Sequence, residues 1–553
     1  MRNKFSFSNK PSIKVARSKF DLSHHHKTMF SAGQLIPFYV QEIYPGDSFK
    51  IRTTNVTRTT SPFVRPVMDN MFLDMYYFFV PNRLVYDNWV NVMGENTQSD
   101  WISPTTYEAP VTYGVNTSGG IGDYMGIPPT QIGSLNAINV LPFRAYALIW
   151  NEWFRDENLQ NPVLIQKGPT NSNERLNGNE WSSNNYLGMP APINKLHDYF
   201  TSCLPAPQKG NSVSISLSGN APVRTDESYS AFKTFGSQSP LRVVERLNGS
   251  NFIDSRNLAS YYNSGLGESY LGAGASNANV GAVSNQAMFD NLVADLSDLS
   301  AVNINDLRYA IELQRLLELD ARGGSRYTEY LQAHFSVFSP DSRLQRPEFL
   351  GGKRMPLSIQ QVNQTSQSTT DSPLAQVGAF SLSNGQCGMT KSFVEHGFII
   401  GVMAVRQFHT YQQGIERFWT RKRRTDYYDP IFSNIGEQPV YTSEIDFSNN
   451  ASVQGRIFGY NEAWADLRYR PSRISGALRS GQAGHFDIWH FADYYSGQPT
   501  LSATWIEETP TFIDRALSVP STTAPQFVID IYNNISAIRV MPTYSIPDLV
   551  THK

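Results

Sequence analysis

Only two cysteines, Cys203 and Cys387, stand in 553 residues. That is too few for a disulfide framework, and their separation fits no metal-ligand spacing. Both are expected as reduced thiols in a protein made in a cytoplasm. Charge is scarce as well: Asp, Glu, Lys and Arg make up 17% of the chain, against roughly 25% in ordinary soluble domains. No window reaches about 18 uninterrupted apolar residues, so no hydrophobic membrane-spanning helix is expected. The opening MRNKFSFSNK has no apolar signal-peptide core, and secretion by that route is not expected. Catalytic signatures are missing too: there is no G-x-S-x-G, H-E-x-x-H, P-loop or kinase set. Gly119-Gly120-Ile121-Gly122 lacks the strand before and helix after that phosphate binding needs. Asp69 with Asp74, and Glu507-Glu508, are acid pairs that a chain this long supplies by chance. His396, His409, His485 and His490 stand isolated and read as hydrogen-bonded core or interface histidines. No catalytic residue, cofactor or metal site is expected.

Aromatic residues, by contrast, are abundant at 12%, with 28 Tyr and 32 Phe, beside 38 Gly and 32 Pro. Few charges, many rings and many turn formers point to an all-β chain with long loops and extensive contact between proteins. Interface cores lose charge and gain Tyr, Phe and Trp relative to free surface. A lone monomer of this mass would expose roughly 20,000 Å², and burial between subunits eases the solubility problem that so few charges create.

The net charge of −2 hides an asymmetry. Residues 1–27 hold seven cations, Arg2, Lys4, Lys10, Lys14, Arg17, Lys19 and Lys27, against Asp21 alone, a balance of +6. The remaining 39 cations face 47 anions, a balance of −8. A basic arm on an acidic body can reach toward nucleic acid or an acidic neighbour. A chain this close to neutrality cannot offset an enclosed genome alone, so a small basic partner or free cations would supply the missing charge. Within the arm, His24-His25-His26 are adjacent imidazoles on a segment expected to be flexible, with no metal assigned to them.

Along the chain, extended patterns come first. Leu35–Val40 runs to a turn at Tyr44-Pro45-Gly46-Asp47, and Ser48–Arg52 alternates around Phe49 and Ile51. Met71, Leu73, Met75 and Tyr77 recur at period two, with Pro81 as a stop. Residues 104–140 read as loop. Leu141–Arg155 reads as a helix, with Pro142 in its first turn and Tyr146, Ile149, Trp150 and Trp153 on one face. A second helix is expected from about Asn305 to Arg322, stopped by Gly323-Gly324. Between them, 161–300 is rich in Asn, Ser and Gly and reads as an insertion ordered by packing against copies of itself. Phe338–Gly352 reads as a structured loop, and Phe527–Tyr532 as a strand. Strand candidates at both ends, separated by a long excursion, favour a jelly roll over a meander.

The chain is organised around Lys391–Gly436. Phe398–Val405 is too apolar for a half-exposed strand. It leads within about a dozen residues to Arg417-Phe418-Trp419-Thr420-Arg421-Lys422-Arg423-Arg424, five cations around two rings. Cations neutralise phosphates and rings stack unpaired bases. Arg417, Trp419, Arg421, Lys422, Arg423 and Arg424, with Arg2, Lys4, Lys10, Lys14, Arg17 and Lys19 of the arm, are the candidate contacts to nucleic acid or an interior surface.

Several blocks then carry a resemblance: FVRPVMDNMFLDMYYFFVPNRLVYDNW (63–89), LPFRAYALIWNEWFRDENLQ (141–160), SVFSPDSRLQRPEFLGG (336–352), GVMAVRQFHTYQQGIERFWTRKRRTDYYDPIF (401–432), IGEQPV (435–440), FGYNEAWADLRYRPSRISGALRS (458–480) and IRVMPTYSIPDL (538–549). They resemble, in order, the major capsid protein of gokushoviruses, small tailless single-stranded DNA bacteriophages of the microvirus family. The resemblance implies a mainly β viral jelly roll, eight-stranded, with long inter-strand insertions and a few helices. It also implies a non-enzymatic coat subunit, made in a host bacterial cytoplasm and resident in the virion. Its copies would close a T=1 icosahedral shell through fivefold, threefold and twofold contacts around single-stranded DNA, beside a small basic DNA-binding protein. The implied division is a basic arm (1–27), a first part of the jelly roll (28–160), a variable insertion protruding at the threefold axis (161–300) and the remainder (301–553). Within the insertion, Tyr261, Tyr262, Tyr270, Asn277 and Asn279 are candidates for meeting a host receptor. A carbohydrate-binding or hydrolytic jelly-roll protein is the rival reading.

Overall fold

A computed structural model describes residues 16–95, 107–169, 174–213, 304–324, 326–366, 374–447 and 455–544, and short strands within 223–294. The chain divides into two compact units, residues 1–209 with 317–553, and residues 210–316.

The larger unit is built on two antiparallel sheets. The strands of these two sheets are β1 (Ser18–Asp21), β2 (His24–Phe30), β3 (Ile36–Ile43), β4 (Ser48–Thr59), β5 (Met71–Pro81), β6 (Glu348–Leu357), β7 (Ile359–Asn363), β8 (Val377–Ser392), β9 (Gly397–Gln407) and β10 (Phe527–Arg539). One sheet has the order β1-β10-β4-β8-β7, with β2 also paired to β10; the other runs β6-β5-β9-β3. The fold is mainly β with few helices, arranged as a β-sandwich.

Side-chain period decides how the sheets face. Phe49 and Ile51 of β4, and Phe527, Ile529, Ile531 and Ile535 of β10, point inward from the first sheet. Met71, Leu73, Met75 and Tyr77 of β5 meet them from the second, all fully buried as their spacing predicts. Tyr77 carries a hydroxyl into this apolar layer, where Thr53 of β4 and Asn533 of β10 hydrogen-bond around it. The turn between β3 and β4 forms as read: Gly46 takes φ +90°, and the Asp47 N–H donates to the Tyr44 carbonyl at 3.1 Å.

The second sheet is covered on its outer face as well. Phe78 and Val80 of β5 and Ile400, Val402 and Ala404 of β9 pack under helix α1 (Leu141–Ile149), through Phe143, Tyr146 and Ile149. Burial on both faces is why β9 carries an unbroken apolar run. Pro142 sits in the first turn of α1, and the helix passes into one π-helical turn at Trp150–Phe154. The helix expected near 305–322 runs Ile304–Gly323 (α2), and Gly324 follows at φ +91°.

Three expectations need correction. The stretch 104–140 is more regular than loop, with strand Val111–Val115 and a helical turn at Ile121–Tyr124. The loop expected to Gly352 ends earlier, because β6 begins at Glu348 and pairs with β5. His24–His26 form the start of β2 rather than a flexible segment. Both cysteines are free and buried. No helix among the described residues is long and apolar enough to cross a membrane.

Between β9 and β10 the chain builds a lobe of short turns around its own core of Tyr411, Val440, Ile445, Phe458, Trp505 and Ile506, joined by Tyr199 and Phe200. The smaller unit contains antiparallel pairs, Val223–Thr225 with Leu292–Ala294, Arg242–Leu247 with Asn251–Asn257, and Ser260–Asn263 with Glu268–Leu271.

Candidate nucleic-acid and subunit interface

The basic, aromatic segment leaves β9 and lies on the turn-rich lobe. A 3-10 turn at Arg417–Thr420 breaks it, so its five cations point to different surroundings. Arg417 turns inward: it donates to the Pro439 carbonyl at 2.8 Å, lies 3.8 Å from Glu444 and stacks 5.4 Å over the Tyr441 ring. Arg421 is 10% exposed and ion-paired to Asp466. Lys422, Arg423 and Arg424 are exposed, and their side chains have no ion-pair partner among the described residues. The Asp426 carboxylate fixes their backbone, accepting from the Arg423 N–H at 2.8 Å and the Lys422 N–H at 2.9 Å. Those bonds hold Asp426 below the ordinary carboxylate range. Trp419 is 70% exposed and packs against Phe418 with ring centroids 4.8 Å apart.

Beneath this turn lies a cavity of about 660 Å³, with Tyr199, Tyr411, Trp419 and Tyr469 among the rings in its wall. Arg470 and Arg473 both reach Glu416 at its rim, the first at 3.0 Å. Arg479 donates to the Ile474 carbonyl at 3.1 Å. The cavity therefore has more guanidinium than carboxylate.

The family-wide comparison decides what these surfaces belong to. The family described as "Capsid protein (F protein)" matches residues 8–549. The chain belongs to this capsid-protein family. It is 40% identical to Capsid protein VP1 of Bdellovibrio phage phiMH2K, over 99% of this chain and 98% of the relative. It is likewise 40% identical to Capsid protein VP1 of Spiroplasma virus 4, over 97% and 96%. Identity to Capsid protein VP1 of Chlamydia phage 1 is 38%, over 99% and 98%. The work of a capsid protein is structural and non-enzymatic, its place is the virion, and its copies assemble into a shell.

In this capsid protein the predicted residues separate into groups. Arg417 and Arg421 hold the lobe together, while Trp419, Lys422, Arg423 and Arg424 share one exposed turn. In the arm, Arg17 donates to the Gly46 carbonyl and to Ser48 Oγ, and Lys19 stands exposed on β1 opposite Ile538. Arg2, Lys4, Lys10 and Lys14 lie outside the described residues. Tyr261 pairs with Tyr270 and Tyr262 with Ser269 in one hairpin; Asn277 and Asn279 lie outside the described residues.

Sequence reading missed a buried ionic network in the lobe. His409 lies between Asp493 and Glu508, and Lys195 lies 3.5 Å from Asp493 and 4.4 Å over the Trp505 ring. Tyr495 donates its hydroxyl to Asp493 at 2.7 Å. The reading of His409 as a hydrogen-bonded core residue holds. Its partners are 84 and 99 positions away along the chain, and no local motif announces them. His490 also fits that reading, facing the Leu478 carbonyl at 2.7 Å.

Proposed function

We propose that this capsid protein is the coat subunit of a closed T=1 icosahedral shell around single-stranded DNA, built on an eight-stranded viral jelly roll. The observation that carries the fold reading is the strand order. Strands β2-β10-β4-β8 face β3-β9-β5-β6, and successive strands of the chain change sheet at nearly every step, as two nested Greek keys require. Heterologous contacts with a closing rotation then make rings rather than filaments.

Of the 161–300 segment, residues 161–209 belong to the larger unit, with Tyr186, Ile193 and Phe200 buried in its cores; the part from residue 210 serves as the outward protrusion at the threefold axis, with Tyr261, Tyr262, Tyr270, Asn277 and Asn279 available to a host receptor. The exposed turn of Trp419, Lys422, Arg423 and Arg424, with the arm, meets packaged DNA. A small basic DNA-binding protein supplies charge that a subunit of net −2 lacks.

Expression followed by electron microscopy tests the assembly, and nuclease digestion of the purified particles tests the cargo. Closed particles of one diameter holding nuclease-protected single-stranded DNA are expected. A stable monomer across pH and salt would defeat the assembly reading. Neutralising Lys422, Arg423 and Arg424 tests the turn: an unchanged genome content would reassign those cations to a contact between subunits.

A further inference from the structure

The six-stranded sheet has a second face, and its composition is unlike the rest of the body. Register places Lys50, Arg52, Thr54, Val56 and Arg58 of β4 beside Ser536, Asn534, Tyr532, Asp530 and Val528 of β10. On the same face, Lys27 and His25 of β2 stand opposite Asp530 and Tyr532, and Lys19 and Asp21 of β1 opposite Ile538 and Ser536. The positions contributed by β8 across from β4 are uncharged: Leu382, Asn384, Gln386, Gly388, Thr390 and Ser392. Five cations thus share the face with two carboxylates, and three of those cations against one carboxylate come from residues 28–553, which together are acidic. The inner face of this sheet is apolar and covered by the second sheet. The outer face stays at the surface, with Lys50, Arg52 and Arg58 all exposed.

Four of its five cations have no acid within ion-pair distance among the described residues. Lys27 and His25 both engage Asp530, at 3.1 and 3.3 Å. Arg52 reaches only the neutral Gln386, at 3.3 Å. Lys19, Lys50 and Arg58 have no ion-pair partner among the described residues. Same-face neighbours on a strand repeat about every 7 Å, so the cations of β4 form a row. Rings stand beside the row: Tyr532 is 38% exposed and packs on His25 with centroids 4.7 Å apart, and Phe380 of β8 is 37% exposed. The chain also enters this sheet through β1 straight from the segment that carries Arg2, Lys4, Lys10 and Lys14.

We infer that this open sheet face is a binding platform for single-stranded DNA, with Lys50, Arg52 and Arg58 taking phosphates and Tyr532 stacking an unpaired base. A row of cations without base-edge donors in fixed geometry selects a polyanion rather than a sequence, and rings select strands whose bases are unstacked. A small basic protein is a poor occupant for a face with this excess of cations. The inference rests on the reading of an enclosed single-stranded genome and adds a surface that neither the arm nor the Trp419 turn includes.

The test titrates full-length protein with a fluorescent thymidine oligonucleotide at several salt concentrations, which needs no packaged genome. Lys50→Thr, Arg52→Thr and Arg58→Thr are combined, because threonine suits exposed strand positions. The triple variant is expected to bind on the order of tenfold or more weakly at low salt. Its salt slope should be shallower by about 2, at roughly 0.7 for each phosphate no longer neutralised. Tyr532→Thr is expected to weaken binding while leaving the slope in place. Wild-type affinity and slope in the triple variant overturn the inference, as does loss of both only when Lys422, Arg423 and Arg424 are neutralised. Ultraviolet cross-linking of wild-type particles guards against a variant that fails to fold. DNA-linked peptides containing Tyr532 or His25 support the platform, and linkage confined to other peptides overturns it. Wild-type particles that bind the oligonucleotide but hold no protected DNA would instead defeat the genome reading alone.

Discussion

Nδ1 of His409 lies 2.7 Å from a carboxylate oxygen of Asp493, and both side chains are buried. Nε2 of the same ring lies 3.0 Å from Glu508. A neutral imidazole has one N–H and could serve only one of these acids, whereas an imidazolium serves both. Burial alone would drive the proton off. The two carboxylates outweigh that penalty and push His409 up from 6.5 to about 10. Asp493 shows the reverse balance: burial would raise it, but His409 and Lys195 hold it below its ordinary 3.8.

The sign of the pH dependence follows. The stabilisation from His409 is complete below its ordinary 6.5 and is lost as pH rises toward about 10. That from Asp493 is complete above its ordinary 3.8 and is lost as pH falls through its lowered value. Melting temperature should be flat in weakly acidic buffer and fall from neutral to strongly alkaline buffer. His409→Gln should melt lower in neutral buffer, with an unfolding free energy reduced by on the order of a few kcal/mol, and lose most of the alkaline slope. A variant whose alkaline limb runs parallel to wild type would show that another group controls it.

Arg144 and Glu174 form a second buried pair, under the outer face of the β6-β5-β9-β3 sheet. The guanidinium donates to Glu174 at 2.6 and 2.9 Å and to the Val85 and Gly168 carbonyls, while Tyr186 also donates to Glu174. Removing the acid leaves a dry positive charge, so Glu174→Ala should cost about 3–5 kcal/mol in urea unfolding. Pairing it with Arg144→Met should recover part of that loss. A double variant less stable than the sum of the two single losses would reject the unpaired-charge explanation.

Gly401 sits at the bulge where β9 shifts register against β3. A Cβ there would meet Phe38 at 2.8 Å and Tyr39 and Tyr77 at 3.0 Å. The glycine leaves room for the Phe38 and Tyr77 rings and the Tyr39 Cβ at the centre of the sandwich. Gly401→Ala should destabilise by about 1–3 kcal/mol through overpacking, measured as a lower urea midpoint with unchanged m-value. An unchanged midpoint would mean that the rings shift aside freely.

What could be read from the sequence tracks how local each cause is. Met71, Leu73, Met75 and Tyr77 declare their face by period alone, and Phe398–Val405 declares double burial by lacking polar positions. α1 follows from Pro142 and one apolar stripe. β8 escaped notice because one face carries Asn384, Gln386, Gly388 and Thr390, residues that read as loop until register sets them beside β4. The open basic face escaped for the same reason: Lys27, Lys50 and Arg58 belong to two strands that are neighbours only through β10. The charge cluster at 417–424 was plain in sequence, but its division into buried and exposed cations was not, because Asp466 and Glu444 arrive from later loops.

Arg421 is nearly buried against Asp466, whereas Lys422, Arg423 and Arg424 contact no acid through their side chains among the described residues. Exposed charges with no partner contribute little to folding, so neutralising all three with Gln should move unfolding free energy by no more than about 0.5 kcal/mol each. Arg421→Gln leaves the Asp466 carboxylate desolvated without its cation and should cost roughly 2–4 kcal/mol. Urea midpoints of the two variants, beside the DNA content of particles assembled from each, separate structure from binding. The triple variant should fold like wild type and lose DNA, and Arg421→Gln should unfold early whatever the salt. Equal stability of the two variants would mean that the Arg421–Asp466 pair does not anchor the turn, and that the five cations act as one surface.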